Sequence, residues 1–231
     1  MNKYKVIILS LLISFMGASC EDWLYDNVNE DAAHEVLPQQ VLPVVLFYSA
    51  QLQFDHAEYG AYLTQTLTTG GRNQTSSFAY KSGWGDFLTM NRHPQWRRHF
   101  YDIGVNAKEI IDEAHEAQAW NLELIGRTLR LMSTQMTTDL FGDMPRSEAY
   151  ESNSPHYDTQ ESIYEWMNQE IEELIGMYED PTYTEAATNI PIDQSIDRVF
   201  AGDLNKWKHY TYALKARLLL RKLPNWENNA A

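Results

Sequence analysis

Between Leu122 and Tyr150 the chain places Ile125, Leu129, Met132, Met136 and Leu140 at steps of three and four residues. That spacing lays them on one stripe of an α-helix, and the pattern stops where Gly142 and Pro145 interrupt it. Gly142 can take the left-handed conformation that closes a helix, Pro145 cannot continue one, and Ser147 to Tyr150 lead away. A long helix ending in a shaped turn therefore constrains the whole chain, because its apolar stripe must be covered. Asp139 and Asp143 flank the turn. Three readings of them stay open: caps for backbone amides of the turn, two ligands of a calcium ion that wants about six to eight oxygens, or contacts to a partner.

The first twenty residues read as an address. Met1 to Lys5 is short and basic, Val6 to Phe15 is apolar, and Gly17, Ala18 and Ser19 are small residues just before Cys20. The apolar run is shorter than the roughly 20 residues of a membrane helix. Cys20 is the sole cysteine, so it makes no intramolecular disulfide, and its position matches a bacterial lipoprotein cleavage box with a lipidated thiol. Each buried acyl methylene contributes about 0.8 kcal/mol to membrane attachment. The expected division is a signal peptide over 1–19, a lipidated acidic tether over 20–37 and a helical domain over 38–231. Asp22, Asp26, Glu30, Asp31 and Glu35 would extend the tether by mutual repulsion. Glu21-Asp22 after the cysteine resembles the surface-export signal of Bacteroidetes lipoproteins.

Charge excludes one class of partner. The chain carries 32 acidic and 18 basic side chains, a net of −14, and cleavage before Cys20 would remove Lys3 and Lys5 but no acid. A surface of that sign is repelled by phosphate backbones and gains nothing from counterion release, so nucleic acid is not a partner. The same field disfavours anionic headgroups, which leaves membrane attachment to the lipid. With 44% apolar residues, the chain can bury one core or at most two small ones.

The remaining pattern is all-α, built as helical hairpins with long loops. Val41 to Thr69 suggests two helices interrupted near Asp55. Trp96, Phe100, Ile103, Ala107, Ile110 and Ala114 keep a helical spacing that ends near Trp120-Asn121. The next helix follows after a very short connection, so the two should be antiparallel. Asp158 and Glu161 form a capping pair before Ile163, Met167, Ile171, Leu174 and Tyr178, with Glu165, Glu170, Glu172 and Glu173 on other faces. Pro181 stops that helix, Gly202-Asp203 starts another, and Leu204, Trp207, Tyr210, Leu214 and Leu218 form its stripe. There is no convincing strand pair.

Gly70 to Asn91 interrupts the helices with a loop rich in glycine, small hydroxyls and rings. Loops of that length are uncommon in compact domains and often functional. Its Arg72, Asn73, Gln74, Tyr80, Trp84 and Asp86 combine flat rings with amide and charged groups. They are the candidate ligand contacts; the competing reading is that Trp84 and Phe87 pin the loop to the helices. Trp96, Trp166 and Trp207 lie on or beside apolar stripes and read as core.

Catalysis finds little support. The glutamates at 170, 172 and 173 read as a solvated face rather than acids opposed across a cleft. His93 and His99 lack the spacing of paired ligands on one helical face, Gly70-Gly71 lacks a phosphate-loop lysine, and no serine elbow occurs. No enzyme, cofactor or metal is expected.

Several stretches together resemble the SusD/RagB family, surface glycan-binding lipoproteins of Bacteroidetes nutrient-uptake systems. The best match is Asp139-Leu140-Phe141-Gly142-Asp143-Met144-Pro145 followed by Ser147-Glu148-Ala149. A second is Asp203-Leu204-Asn205-Lys206-Trp207 with Ala213-Leu214-Lys215-Ala216-Arg217-Leu218. Arg146 departs from the aromatic residue the family often carries there. The resemblance implies a tetratricopeptide-like scaffold. It also implies binding of an oligosaccharide, or less often a peptide, as partner of a TonB-dependent outer-membrane transporter. Family members are commonly about twice as long, so the chain resembles an N-terminal half, in which Trp166, Trp207 and Leu218 would lack cover. A helical lipoprotein that only scaffolds protein partners is the alternative.

Overall fold

The computed structural model describes residues 37–64, 66 and 94–222. Helix α1 (Pro38–Leu63) leads to α2 (Pro94–Arg97), a π-helical segment (Arg98–Val105), α3 (Asn106–Glu116) and α4 (Trp120–Phe141). After a long turn come α5 (Gln160–Glu179), the short α6 (Pro181–Thr184) and α7 (Leu204–Lys222). Among the described residues there is no strand, only one antiparallel bridge between Met144 and Asp158. The all-α expectation holds.

Helix α4 is the axis. It packs most extensively on α3, also touches α1 and the π-helical segment, and is met by α5, α6 and α7. Ile125, Leu129, Met132 and Met136 are buried as their spacing predicts, but so are Glu123, Arg127, Thr128, Ser133, Thr134, Gln135, Thr137 and Thr138. Neighbours therefore cover both the apolar stripe and much of the polar face. The threonines tolerate this because their hydroxyls donate back along the helix, Thr128 to the Leu124 carbonyl and Thr137 to that of Ser133, both at 2.8 Å. Gly126 lets α3 come close: a Cβ there would lie 3.1 Å from Ile110 and 3.2 Å from Ile111.

Glu170 also departs from its expected place on a solvated face. It is buried, and its carboxylate takes Arg127 in a two-point pair, Nε at 2.8 Å and NH2 at 3.0 Å. Arg127 reaches Glu123 at 3.3 Å and the exposed Glu173 at 2.8 Å as well. Burial pulls its pKa down, but the bonds and charge of Glu170, then Glu173, hold it above the usual arginine value. A guanidinium can sit inside the bundle only because carboxylates surround it.

Four boundary expectations change. Helix α1 runs unbroken through Asp55, because Arg98 Nε donates to the Asp55 carboxylate at 2.5 Å and relieves the cost of a buried acid. Helix α3 ends at Glu116, and Trp120 already belongs to α4. Gln118 takes φ 54°, the Ala119 amide bonds the Ala114 carbonyl at 2.8 Å and the Gln118 amide that of His115 at 3.1 Å. That is a Schellman closure with glutamine in the left-handed position. The N-cap of α5 is Thr159, whose hydroxyl accepts from the Ser162 amide, while Asp158 bonds back across the preceding turn. Gly142 has φ 77° and ψ −125°, so it turns the chain with positive φ outside the left-handed helical well.

The start of α4 has no side-chain cap of its own. Asn189, far along the chain, accepts from the Asn121 amide at 3.0 Å, and the Asn121 side chain donates to the Ile190 carbonyl at 2.7 Å. Trp207 and Leu218 are each 1% exposed, which corrects the expectation that they would lie uncovered. Asp197 accepts Trp207 Nε1 at 2.8 Å and the amides of Val199, Phe200 and Gly202, locking the approach to α7. Trp166 is half-buried, with Arg146 above its ring. Among the described residues no helix is long and apolar enough to cross a membrane.

Candidate functional site

Arg72, Asn73, Gln74, Tyr80, Trp84 and Asp86, like His93 and Cys20, lie outside the described residues. Within them a different constellation forms where the π-helical segment faces the turn after α4. The wider hydrogen-bonded ring of a π-helix rotates the side chains that follow, and such segments recur at functional sites. Trp96, Phe100, Tyr101 and Val105 form one wall of a groove of about 590 Å³; Pro145, Ala149, Tyr150, Glu151, Ser152, Asn153 and Pro155 form the other.

The rings are held in a cluster. Trp96 lies 4.7 Å from Phe100, 5.1 Å edge-on from Phe141 and 6.3 Å from a nearly parallel Tyr157. Tyr101 is 71% exposed and has no such packing role. Gly104 makes room for Tyr150, whose phenol fills the space a side chain at 104 would need. Burial pushes the Tyr150 phenol up to about 12, so it stays a hydroxyl. Lys108 reaches Asp112 at 2.6 Å and Glu151 at 3.4 Å, and the bond to Asp112 raises its pKa.

The opposite wall is braced from beneath. Ser147 donates its hydroxyl to Asp158 at 2.8 Å, and the amides of Arg146 and Ser147 donate to the same carboxylate. Burial works the other way, but the Ser147 amide and hydroxyl hold the Asp158 carboxyl below its usual value. Asp143 accepts the Gln160 amide at 2.8 Å, and Asp139 accepts the Tyr164 phenol and lies 3.3 Å from Arg221. The expected capping of the turn's own amides is not what the contacts show: Asp143 accepts the first amide of α5, and Asp139 braces α5 and α7.

A smaller cavity of about 210 Å³ adjoins the groove, sharing Lys108, Pro145, Ala149, Tyr150 and Glu151 and adding His99, Arg130, Thr134, Arg146, Ser147 and Trp166. His99 bonds the Ser133 hydroxyl at 2.7 Å, and burial, then the charge of Arg130, lower its pKa to about 3. A third, acidic hollow of about 580 Å³ is lined by Asp139, Gln160, Glu161, Tyr164, Glu165 and Arg221. It offers a single ring.

Trp96 and Phe100 read as core residues from their spacing, yet they pack inward and line the groove. Gly104 inside an otherwise regular helical pattern was the one available signal, since an isolated helical glycine marks a close approach.

A family model described as "Starch-binding associating with outer membrane", the SusD-like family, matches residues 46–228. The chain belongs to the SusD-like family. A crystal structure of a SusD/RagB family protein from Bacteroides thetaiotaomicron superposes with a TM-score of 0.61 at 22% identity. The match covers 81% of this SusD-like chain and 38% of the solved one. The likeness shows a shared helical fold. No curated protein matches the sequence.

Proposed function

We propose that this SusD-like chain is a non-catalytic glycan-binding lipoprotein of the outer membrane, facing the cell surface and passing oligosaccharide to a TonB-dependent transporter. The observation that carries the reading is the groove: exposed and half-buried rings of Tyr101, Trp96 and Phe100 stand across from the polar Glu151, Ser152 and Asn153. Sugars have apolar C–H faces and polar rims, and a concave site with rings and a few polar groups complements both. The family description, starch-binding and associating with the outer membrane, supports the same class of ligand. Residues 1–19 then serve as signal peptide, Cys20 as lipid anchor, residues 20–37 as tether and 38–231 as the binding domain. The ring-rich loop with Arg72, Asn73, Gln74, Tyr80, Trp84 and Asp86 supplies further ligand contacts.

Calorimetry of the full chain with soluble oligosaccharides tests the reading. Binding that weakens at least tenfold in Tyr101→Ala supports it. If no glycan binds while pull-down from outer membranes recovers a transporter or another protein, the scaffold reading replaces it.

A further inference from the structure

The smaller cavity holds a charge imbalance that the rings of the groove do not explain. Arg130 on α4 and Arg146 on the turn both line it, with their guanidinium carbons 5.9 and 4.7 Å from the centre of the Trp166 ring. Among the described residues the arginine ion pairs are made by Arg97, Arg98, Arg127 and Arg221 instead. Arg130 Nε is buried without a hydrogen-bond partner. Glu151 is the carboxylate on the lining, and Lys108 stands 3.4 Å from it, itself bonded to Asp112. His99, with its lowered pKa, brings no positive charge near neutral pH. In a chain of net charge −14, two guanidiniums thus converge on the cavity without an ion pair among the described residues, although the charges of Glu170 and Asp112 act on Arg130 and that of Asp158 on Arg146 from farther off. Such cations are costly to bury alone, and their planar forks match oxyanions.

We propose that this cavity binds the oxyanion substituent of an acidic glycan, a carboxylate or a sulfate ester, through Arg130 and Arg146. The sugar rings lie in the adjoining groove. Shared walls make the two spaces continuous neighbours, and the cavity, about a third of the groove's volume, suits a substituent rather than a chain. The inference rests on the glycan-binding reading and narrows its ligand class.

The test is calorimetry of the full chain with maltoheptaose, an oligogalacturonate and a chondroitin sulfate oligosaccharide, at low and high salt. One acidic probe should bind at least tenfold tighter than maltoheptaose, and that ratio should shrink with salt. A stronger oligogalacturonate assigns a carboxylate; a stronger chondroitin sulfate assigns a sulfate. Arg146→Gln, on a half-buried residue of the turn, should bring the ratio close to one. Arg130→Gln should do the same, and its melting curve reports whether the fold survives. Equal binding of neutral and acidic probes overturns the inference and leaves the glycan reading standing, as does an acidic preference unchanged in Arg146→Gln. Binding of none of the three overturns both.

Discussion

The Tyr150 phenol occupies the place of a side chain at Gly104: a Cβ there would lie 1.8 Å from the phenol oxygen and 2.6 Å from the His99 carbonyl oxygen. The helix and the turn are fitted to each other at this point, and the groove's two walls meet there. Gly104→Ala should therefore expel the Tyr150 ring and cost about 1–3 kcal/mol, the range of overpacking in a filled core. Urea unfolding and the near-ultraviolet circular dichroism of the tyrosines measure it. Adding Tyr150→Ala should recover part of the loss, and an unchanged midpoint for Gly104→Ala would show that the fit is not tight.

Arg127 is the counter-charge for two buried acids. Arg127→Met should cost about 3–5 kcal/mol, because Glu170 and Glu123 stay inside without it. Arg127→Met with Glu170→Met should be closer to wild type than the single change, as packing then replaces the pair. Chemical denaturation of the three proteins decides this; equal losses in single and double variants would mean that the pair is not coupled.

Stability should fall in mild acid. The folded pKa of His99 is lowered to about 3, so below the ordinary value of 6.5 the unfolded chain takes up a proton that the folded chain refuses. The His99 contribution is full above pH 6.5 and declines as pH drops toward 3, by up to about 1.4 kcal/mol per pH unit. His56, lowered chiefly by burial, acts with the same sign. His99→Gln should flatten the dependence between pH 6.5 and 4, read from urea midpoints across that range. A slope that persists in full assigns the titration elsewhere.

Gln118 offers a gain. Its φ of 54° suits glycine, and its carbonyl bond from Thr188 does not depend on the side chain. Gln118→Gly should raise stability by roughly 0.5–1 kcal/mol. A lowered urea midpoint would show that glutamine makes contacts that outweigh its strained backbone.

Much of the helical order was legible along the chain. Periodic apolar residues placed α4 and α5, Pro181 ended α5, and Asp203 caps α7 by accepting the Asn205 and Lys206 amides. Asp55 misled because a charge inside an apolar pattern looks like a break until Arg98 stands beside it. Glu170 misled because its partner, Arg127, is 43 residues away. The groove was less legible still: Trp96 and Phe100 have the spacing of core residues, and only Gly104 hinted at a close approach.

Helix order and acidic surface thus follow from spacing and composition, since periodicity and charge are local properties of the chain, and the family resemblance lies in two short contiguous motifs. Which polar faces became buried, and which rings were left open, was decided by tertiary packing. Enclosing α4 by helices from both ends of the domain removes water from its charged side. Arg127 then needs Glu170, while Arg130 and Arg146 line a cavity and make no ion pair among the described residues. No single stretch of sequence contains that relationship, because it depends on distances between residues far apart in the chain.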